Sequence, residues 1–331
     1  MSAPAGRPTR GRFEHTALIV DSDDSLDRLL MPVLRRHVSD GEPVMIVVSP
    51  GTERVLRTLL GADALALTWG EAGAFYQRLG FAYEAFRRFL RQQHAQGRSV
   101  RVIAEPDIPT DLDAPVDRVA AYLSYESACN DAFAEYGCPV ICLWDSRRHP
   151  TLVIENVRSI HDHELTDRGK RHNSAFVPAQ DYLAGRADVT MPATPADIDI
   201  DSTLSVMADV GRGRESVAGW ATDHGFAPAA TAQVVAATNE VLTNGFQHGA
   251  PPVRLRGWQH GSTLVVQVDD RGGRAIPPDA GYRAPARPAT GAGLWIARQF
   301  ADIVLTRTVT GNTAVRMYFP HALTHRDPGG S

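Results

Sequence analysis

The chain has 331 residues, 43% hydrophobic and 22% charged, with a formal net charge of -4. That length holds two ordinary domains with sizeable cores, and the slight acidity disfavours a general nucleic-acid-binding surface. No apolar run is long enough to cross a bilayer, and the basic start MSAPAGRPTRGR lacks the apolar stretch of a signal peptide. A soluble, cytoplasmic protein with no membrane and no direct nucleic-acid partner is therefore expected. Cys129, Cys138 and Cys142 contain no C-x-x-C and no disulfide framework, so buried thiols are expected.

In chain order, residues 1–12 read as a disordered tail. HTALIV, starting at His15, reads as a strand, and Ser22–Gly41 as a helix capped near Ser22 or Asp23 and stopped by Gly41. Pro43–Val48 is a continuous apolar run, typical of a strand covered on both faces. Thr52–Gly61 reads as a second helix, Ala64–Trp69 as a possible strand, and Phe81–Gln96 as a long helix stopped by Gly97. Ser99–Glu105 is a strand. Pro115–Tyr136 is a helix, with Asp113 as its cap and Pro115 in its first turn, and Pro139–Asp145 is a strand. Strands alternating with helices predict an α/β unit with a mainly parallel sheet over residues 13–182.

Residues 183–202, rich in Ala, Pro and Asp, read as a linker. Beyond it come two helices, Leu204–His224 and Pro228–Gln247, then strands VRLRGW and TLVVQVDD, a helix Leu294–Ala301, and strands DIVLTRTV and TAVRMYF. Leu264, Val266 and Val268 alternate with their neighbours, as an antiparallel sheet with one buried face requires. Helices gathered on one face of such a sheet predict an α+β two-layer sandwich over residues 203–320, followed by a tail over 321–331.

Within the second helix, Glu240, Asn244 and His248 recur every four residues and share one edge, since each step of four drifts by only about 40°. Val234, Val235, Thr238, Leu242 and Phe246 occupy the neighbouring, more apolar sector. Such a stripe is equally the pattern of a solvated helix face. Two further features accompany it. Asp269-Asp270-Arg271-Gly272-Gly273 ends an apolar strand, where a carboxylate can accept from an exocyclic amine and glycines admit a flat base, or where an ordinary Asp/Gly turn can form. Thr290-Gly291-Ala292-Gly293-Leu294-Trp295 opens a helix, placing backbone amides where phosphate oxygens could sit, or merely supplying a loop with positive φ.

Taken in order, NEVLTNGFQHG, DDRGG, GAGLWIARQFAD and Asn312–Val315 resemble the N box, two glycine boxes and threonine-bearing strand of the GHKL class, the Bergerat ATP-binding fold. Within that class the chain most resembles the anti-sigma factor serine kinases. The resemblance implies ATP and Mg²⁺ as cofactors. Asn244 would ligate Mg²⁺ and Glu240 would act as general base on an acceptor hydroxyl or water. Asp270 would bind the adenine amino group, with Gly272 allowing close approach. Gly291, Gly293 and Leu294 would sit at the phosphates, His248 would border them, and Thr313 would support the adenine site. The first glycine box departs from the class, reading D-x-G-G before Arg274, and the Pro-rich segment 275–291, where these proteins carry a lid over ATP, is short.

The N-terminal half resembles the MEDS sensory domain through F-x-H-x-A-L at Phe13–Leu18, VRVIAEPD at Val100–Asp107, the stretch Tyr125–Asp145, and His149-Pro150-Thr151. The resemblance implies a small organic ligand. His15, Glu105, Glu126, Asn130 and Asp145 are then candidate pocket groups, because strand C-termini in open α/β sheets point into ligand crevices. No G-x-x-x-x-G-K-[ST] is present, which argues against a P-loop enzyme. His161, His163 and His172 lie in a polar connecting stretch rather than a paired amphipathic hairpin, against a histidine autokinase. The expectation is an ATP-dependent anti-sigma factor serine/threonine kinase tuned by the sensory half, with a sigma factor, an antagonist protein or both as partner, and the resemblance also implies a homodimer. A non-catalytic nucleotide-dependent binding module and a degenerate histidine kinase are the alternatives.

Overall fold

The computed structural model describes residues 13–70, 78–106, 117–185, 191–285 and 291–325. The chain divides into two compact units. One takes up Met1–Phe75, Ala85–Ile108 and Glu126–Tyr182. The other takes up Leu183–Ser331 with the segments Tyr76–Glu84 and Pro109–Tyr125. Among the described residues no helix is long and apolar enough to cross a membrane.

The first half of the chain runs β1 (His15–Val20), α1 (Asp23–Ser39), β2 (Val44–Val47), α2 (Pro50–Leu60), β3 (Thr68–Trp69), α3 (Leu79–Ala95), β4 (Arg101–Ala104), α4 (Arg118–Ala132) and β5 (Val140–Asp145). It continues with α5 (Thr151–Ile160), β6 (His163–Thr166), β7 (Gly169–His172) and α6 (Ala179–Ala184). The strands form one sheet in the order β3-β2-β4-β5-β1-β6-β7. Every pairing is parallel except the β6–β7 hairpin. The mainly parallel α/β unit is thus as the alternation required. Leu18, Leu30, Ile46, Ile103 and Leu143 are buried in its core. Ser22 caps α1 through a reciprocal box with Ser25, satisfying two amides that a helix start leaves unpaired.

Three expectations change here. Ala64–Trp69 supplies only a two-residue strand, because Gly61–Ala66 winds into a 3-10 turn. The stretch after Asp145 is not merely connecting: it holds α5, the β6–β7 hairpin and α6. The expected disordered tail 321–331 instead begins with a short helix, His321–Thr324, that buries Leu323 and Thr324, while the cap expected at Asp113 and Pro115 and residues 1–12 and 326–331 lie outside the described residues.

The second unit runs β8 (Ile200–Leu204), α7 (Val210–Asp223), α8 (Pro228–His248), β9 (Val253–His260), β10 (Thr263–Asp270), α9 (Gly293–Phe300), β11 (Ile303–Val309), β12 (Asn312–Pro320) and α10 (His321–Thr324). Its sheet, ordered β11-β12-β10-β9-β8, is antiparallel throughout. Residues from α7, α8 and α9 pack on one face around Val217, Val234, Leu242, Leu264, Val266, Met317 and Phe319. This is the two-layer sandwich that the one-sided alternation predicted.

The opposite face of that sheet is polar and covered. Arg256 and Gln267 both bond Asp269, and the Arg316 Nε–H donates to Gln267 Oε1 at 2.7 Å. Thr194 Oγ accepts from both arginines, at 3.1 and 3.2 Å. The stretch expected to be a linker therefore joins the sheet twice, through Thr194 and through β8, which occupies part of what had read as the start of a helix. Asp302, fully buried, pairs with Arg118 at 2.9 Å within this unit.

Candidate functional site

Helix α8 and strand β10 set up a cavity in the second unit. Val234, Thr238, Val241, Leu242 and Gly245 bury one side of α8, and Asn244 and His248 follow at the edge of that stripe. On β10, Leu264, Val266 and Val268 enter the same core. Asp270 keeps their parity, so it too faces the helix layer. Its register partner on β12 is Thr313. The cavity, about 360 Å³, is lined by Asn244, His248, Asp270, Gly291, Gly293, Leu294 and Thr313, with Ile276 and Pro277 from the loop after β10. Its size and apolar walls with a few convergent polar groups are those of a small-molecule site. Glu240 and Gly272 do not line it. Glu240 is half-buried one turn before Asn244, and its Oε1 accepts from Asn239 at 3.4 Å.

Two groups hold Asp270 and Thr313 in place. Asp270 Oδ1 accepts from the Gly272 N–H at 2.7 Å. Burial pushes the Asp270 carboxyl up, against the opposing pull of the backbone amides of Gly272 and Ala250. The Thr313 hydroxyl donates to the Arg274 carbonyl at 3.2 Å, tying the loop to β12.

The glycines here are matters of space. A Cβ on Gly293 would lie 2.5 Å from the Asn244 amide nitrogen, and one on Gly249 would lie 2.3 Å from the Asp270 carboxylate. A Cβ on Gly272 would lie 2.8 Å from the Gly249 backbone. Gly273 has φ +60° and packs so close to Gly311 that a Cβ would sit 2.7 Å from its nitrogen. Arg274, just beyond that turn, lines the cavity itself.

In the first unit the five candidate groups fall into two places. Glu105 and Asp145 stand at strand C-termini around a crevice of about 480 Å³, with Ser22, Ser49, Arg147 and Arg148. Both carboxylates are engaged. Glu105 accepts from the Ser49 N–H at 2.8 Å and pairs with Arg148 at 3.2 Å. Burial opposes the charge on Asp145, but hydrogen bonds from Arg147, at 2.7 Å and 2.9 Å, hold its carboxyl below the usual range. His15, Glu126 and Asn130 meet elsewhere, beside Cys142 and His161. His15 Nε2 lies 3.2 Å from Cys142 Sγ, and His161 Nε2 lies 3.3 Å from Glu126 Oε1. Burial, with His161 next to it, holds His15 well below the usual imidazole range. Burial, with Glu126 nearby, pushes the Cys142 thiol well up.

Two family models match the chain. Residues 14–162 match the MEDS domain, the methanogen/methylotroph, DcmR sensory domain. Residues 205–319 match the histidine kinase-like ATPase domain. The chain carries a MEDS domain followed by a histidine kinase-like ATPase domain. No curated protein matches it. Among solved structures, the RsbU and RsbW domains of a Mycobacterium tuberculosis protein are 18% identical over 36% of this chain and 31% of that one, with a TM-score of 0.29. The histidine kinase domain of the Erythrobacter litoralis blue-light-activated histidine kinase EL346 is 18% identical over 65% of this chain and 94% of that one, with a TM-score of 0.25. The chain thus spans about a third of the length of the first of these.

In the ATPase domain, Asn244, His248, Asp270, Gly291, Gly293, Leu294 and Thr313 are brought together, while Gly272 acts from behind, against Gly249. In the MEDS domain, sequence reasoning passed over Cys142 and His161. Cys142 read as one more buried thiol, which it is, but among polar partners. His161 read as part of a polar connection, yet it is fully buried at the end of α5. The available signal was placement: Cys142 lies on the central β5, directly opposite Ala17 of β1, two residues from His15.

Proposed function

We propose that the ATPase domain binds ATP·Mg²⁺ and that the chain acts as an anti-sigma factor serine/threonine kinase whose MEDS domain tunes partner binding or phosphotransfer. The observation that carries the nucleotide part is the convergence of a strand-end carboxylate, Asp270, with the Asn244 amide and the glycines of a helix start around one cavity. In this reading Asp270 accepts from the adenine exocyclic amine, and the α9 start presents backbone N–H groups to phosphate oxygens.

The Asn244 amide oxygen is a hard ligand suited to Mg²⁺, which keeps waters and phosphate oxygens as its other ligands. Gly293 leaves the room beside that amide which a side chain would fill. Bound Mg²⁺ supplies charge neutralisation at the transferring phosphoryl group. Glu240 takes the proton of the acceptor serine or threonine hydroxyl as its oxygen bonds phosphorus and ADP departs. The partner is a sigma factor, a protein antagonist of the anti-sigma factor, or both, and the MEDS domain takes a small organic ligand.

A second reading, a nucleotide-dependent binding module without phosphotransfer, is favoured by one observation: Glu240 does not line the cavity. The Glu240→Gln variant, assayed with labelled ATP and candidate antagonist proteins, separates the two. Retained ATP binding with at least about a hundredfold loss of phosphotransfer supports catalysis, the usual scale for a general base. Antagonist phosphorylation at the wild-type rate removes Glu240 from that role, and no phosphorylation by the wild type leaves the binding module.

A further inference from the structure

We infer that His15, Glu126, Cys142 and His161 of the first unit form a closed, four-ligand site for one divalent transition-metal ion, Zn²⁺ by the chemistry of the donors. The residues come from four separate elements: β1, α4, β5 and the turn after α5. One ligand atom from each lies within 4.8 Å of the others, and all four side chains are buried. His15 Nε2 stands 3.2 Å from Cys142 Sγ and 3.9 Å from Glu126 Oε1, and His161 Nε2 stands 3.3 Å from that same oxygen. Tetrahedral Zn²⁺, with bonds of about 2.0 to 2.3 Å, separates its ligand atoms by roughly 3.3 to 3.8 Å. A small contraction of the cluster reaches that geometry.

The surrounding bonds fix both imidazoles as ligands. His15 Nδ1 lies 3.2 Å from Asn130 Oδ1, and the Asn130 amide is itself oriented by donating to the Ile160 and Ser127 carbonyls. His161 Nδ1 lies 2.7 Å from the Val157 carbonyl. Each ring therefore spends its Nδ1–H on an oxygen acceptor and turns the Nε2 lone pair inward, the arrangement by which metal-bound histidines are held. Inside, these groups face one another, and only the His15–Cys142 contact has hydrogen-bond geometry. Both Glu126 oxygens and His161 Nε2 are buried with no hydrogen-bond partner. An isolated buried carboxylate costs several kcal/mol, so this one calls for a cation.

A divalent ion answers all four groups at once. Its charge of +2 balances one carboxylate and one thiolate, leaving a neutral buried site, with the Cys142 proton released to solvent on binding. Thiolate and imidazole donors select a borderline-soft ion over Mg²⁺ or Ca²⁺. Four protein ligands and full burial leave no open position for a substrate, which marks a site that holds structure. Nothing in it depends on the nucleotide pocket.

The test uses the full chain, stripped with a chelator and titrated with Zn²⁺ and Co²⁺. About one equivalent of either should bind per chain. The Co²⁺ form should show tetrahedral d–d bands with a thiolate-to-cobalt charge-transfer band, and X-ray absorption of the Zn²⁺ form should show one sulfur among nitrogen and oxygen ligands. Cys142→Ser should abolish the charge-transfer band, and Glu126→Gln should weaken Zn²⁺ at least tenfold. A natively folded wild-type chain that takes up no ion overturns the site, as does a charge-transfer band that survives Cys142→Ser. The wild-type titration and absorption decide the matter even where a variant fails to fold.

Discussion

The pocket of the ATPase domain and the buried cluster of the MEDS domain are built in opposite ways. The pocket is open, and much of its wall is backbone: glycines that admit close approach and a helix start, beside one carboxylate continuing a strand's parity. The cluster is closed and made only of side chains, drawn from elements far from His15 in the chain, with Cys142 127 residues away. An open backbone site tolerates change in stability but not in affinity. A closed side-chain site does the reverse, because each member neutralises another.

The largest expected effect is therefore on folding. His161→Ala leaves the Glu126 carboxylate buried beside one partner fewer, and removing one member of a buried charged set costs about 3–5 kcal/mol. Thermal or denaturant unfolding of the variant should show that loss. A variant as stable as wild type would mean that the cluster is not held by mutual neutralisation. Asp270→Ala should act on binding instead. A charge-assisted hydrogen bond is worth about 1.5–3 kcal/mol, so ATP affinity should fall roughly 10- to 150-fold with little change in melting temperature. Calorimetric titration checks the first and thermal unfolding the second.

Two glycines, one lining the pocket and one behind it, sharpen the contrast. Gly272→Ala drives a Cβ against backbone, 2.8 Å from the Gly249 Cα, and should cost about 1–3 kcal/mol of stability. Gly293→Ala meets the end of the Asn244 side chain, which can swing away, so its stability loss should stay under about 1 kcal/mol. What it should lose is the Mg²⁺-dependent part of ATP affinity, read by titrating ATP with and without Mg²⁺. Equal stability losses in both variants would contradict the distinction.

The smallest effect is the pH dependence. Burial raises the Asp270 carboxyl, so the ligand-free folded chain holds that proton to higher pH than the unfolded chain does. This group's contribution to stability therefore falls as pH rises through the interval between the ordinary aspartate range and its raised value. Affinity for ATP should move the other way, falling as pH drops through that interval, if the adenine amine donates to the carboxylate as proposed. ATP titrations across acidic pH, beside Asp270→Asn, should show a slope in wild type that the variant lacks.

The same contrast explains what the sequence could tell. The pocket was legible because its parts are short, local motifs with periodicity: the four-residue step from Glu240 to His248, the alternation ending at Asp270, the paired glycines before Leu294. What escaped there was distance in three dimensions. Gly249 stands just past the end of α8, with φ of -97°, and its missing side chain also makes room for the Asp270 carboxylate. In the N-terminal half, the strand alternation gave the sheet, but β6 and β7 are short and polar and left no apolar pattern to read. His15 and Glu126 were candidates only through the resemblance to the MEDS domain. Cys142 sat inside VICLWD, where a thiol passes for a small hydrophobe, and His161 lay among polar residues that concealed its burial.

In the proposed function, Asp270 reads the edge of an adenine in the pocket between α8, α9 and β10. Competitive titration of ATP and GTP in the presence of Mg²⁺, on the full chain and on Asp270→Asn, tests it directly. GTP presents a carbonyl where ATP presents an amine, so wild type should prefer ATP by at least about tenfold, the equivalent of roughly 1.4 kcal/mol. Asp270→Asn, whose amide can donate as well as accept, should bind ATP more weakly and lose most of that preference. Unchanged ATP affinity and unchanged preference in Asp270→Asn would contradict the account.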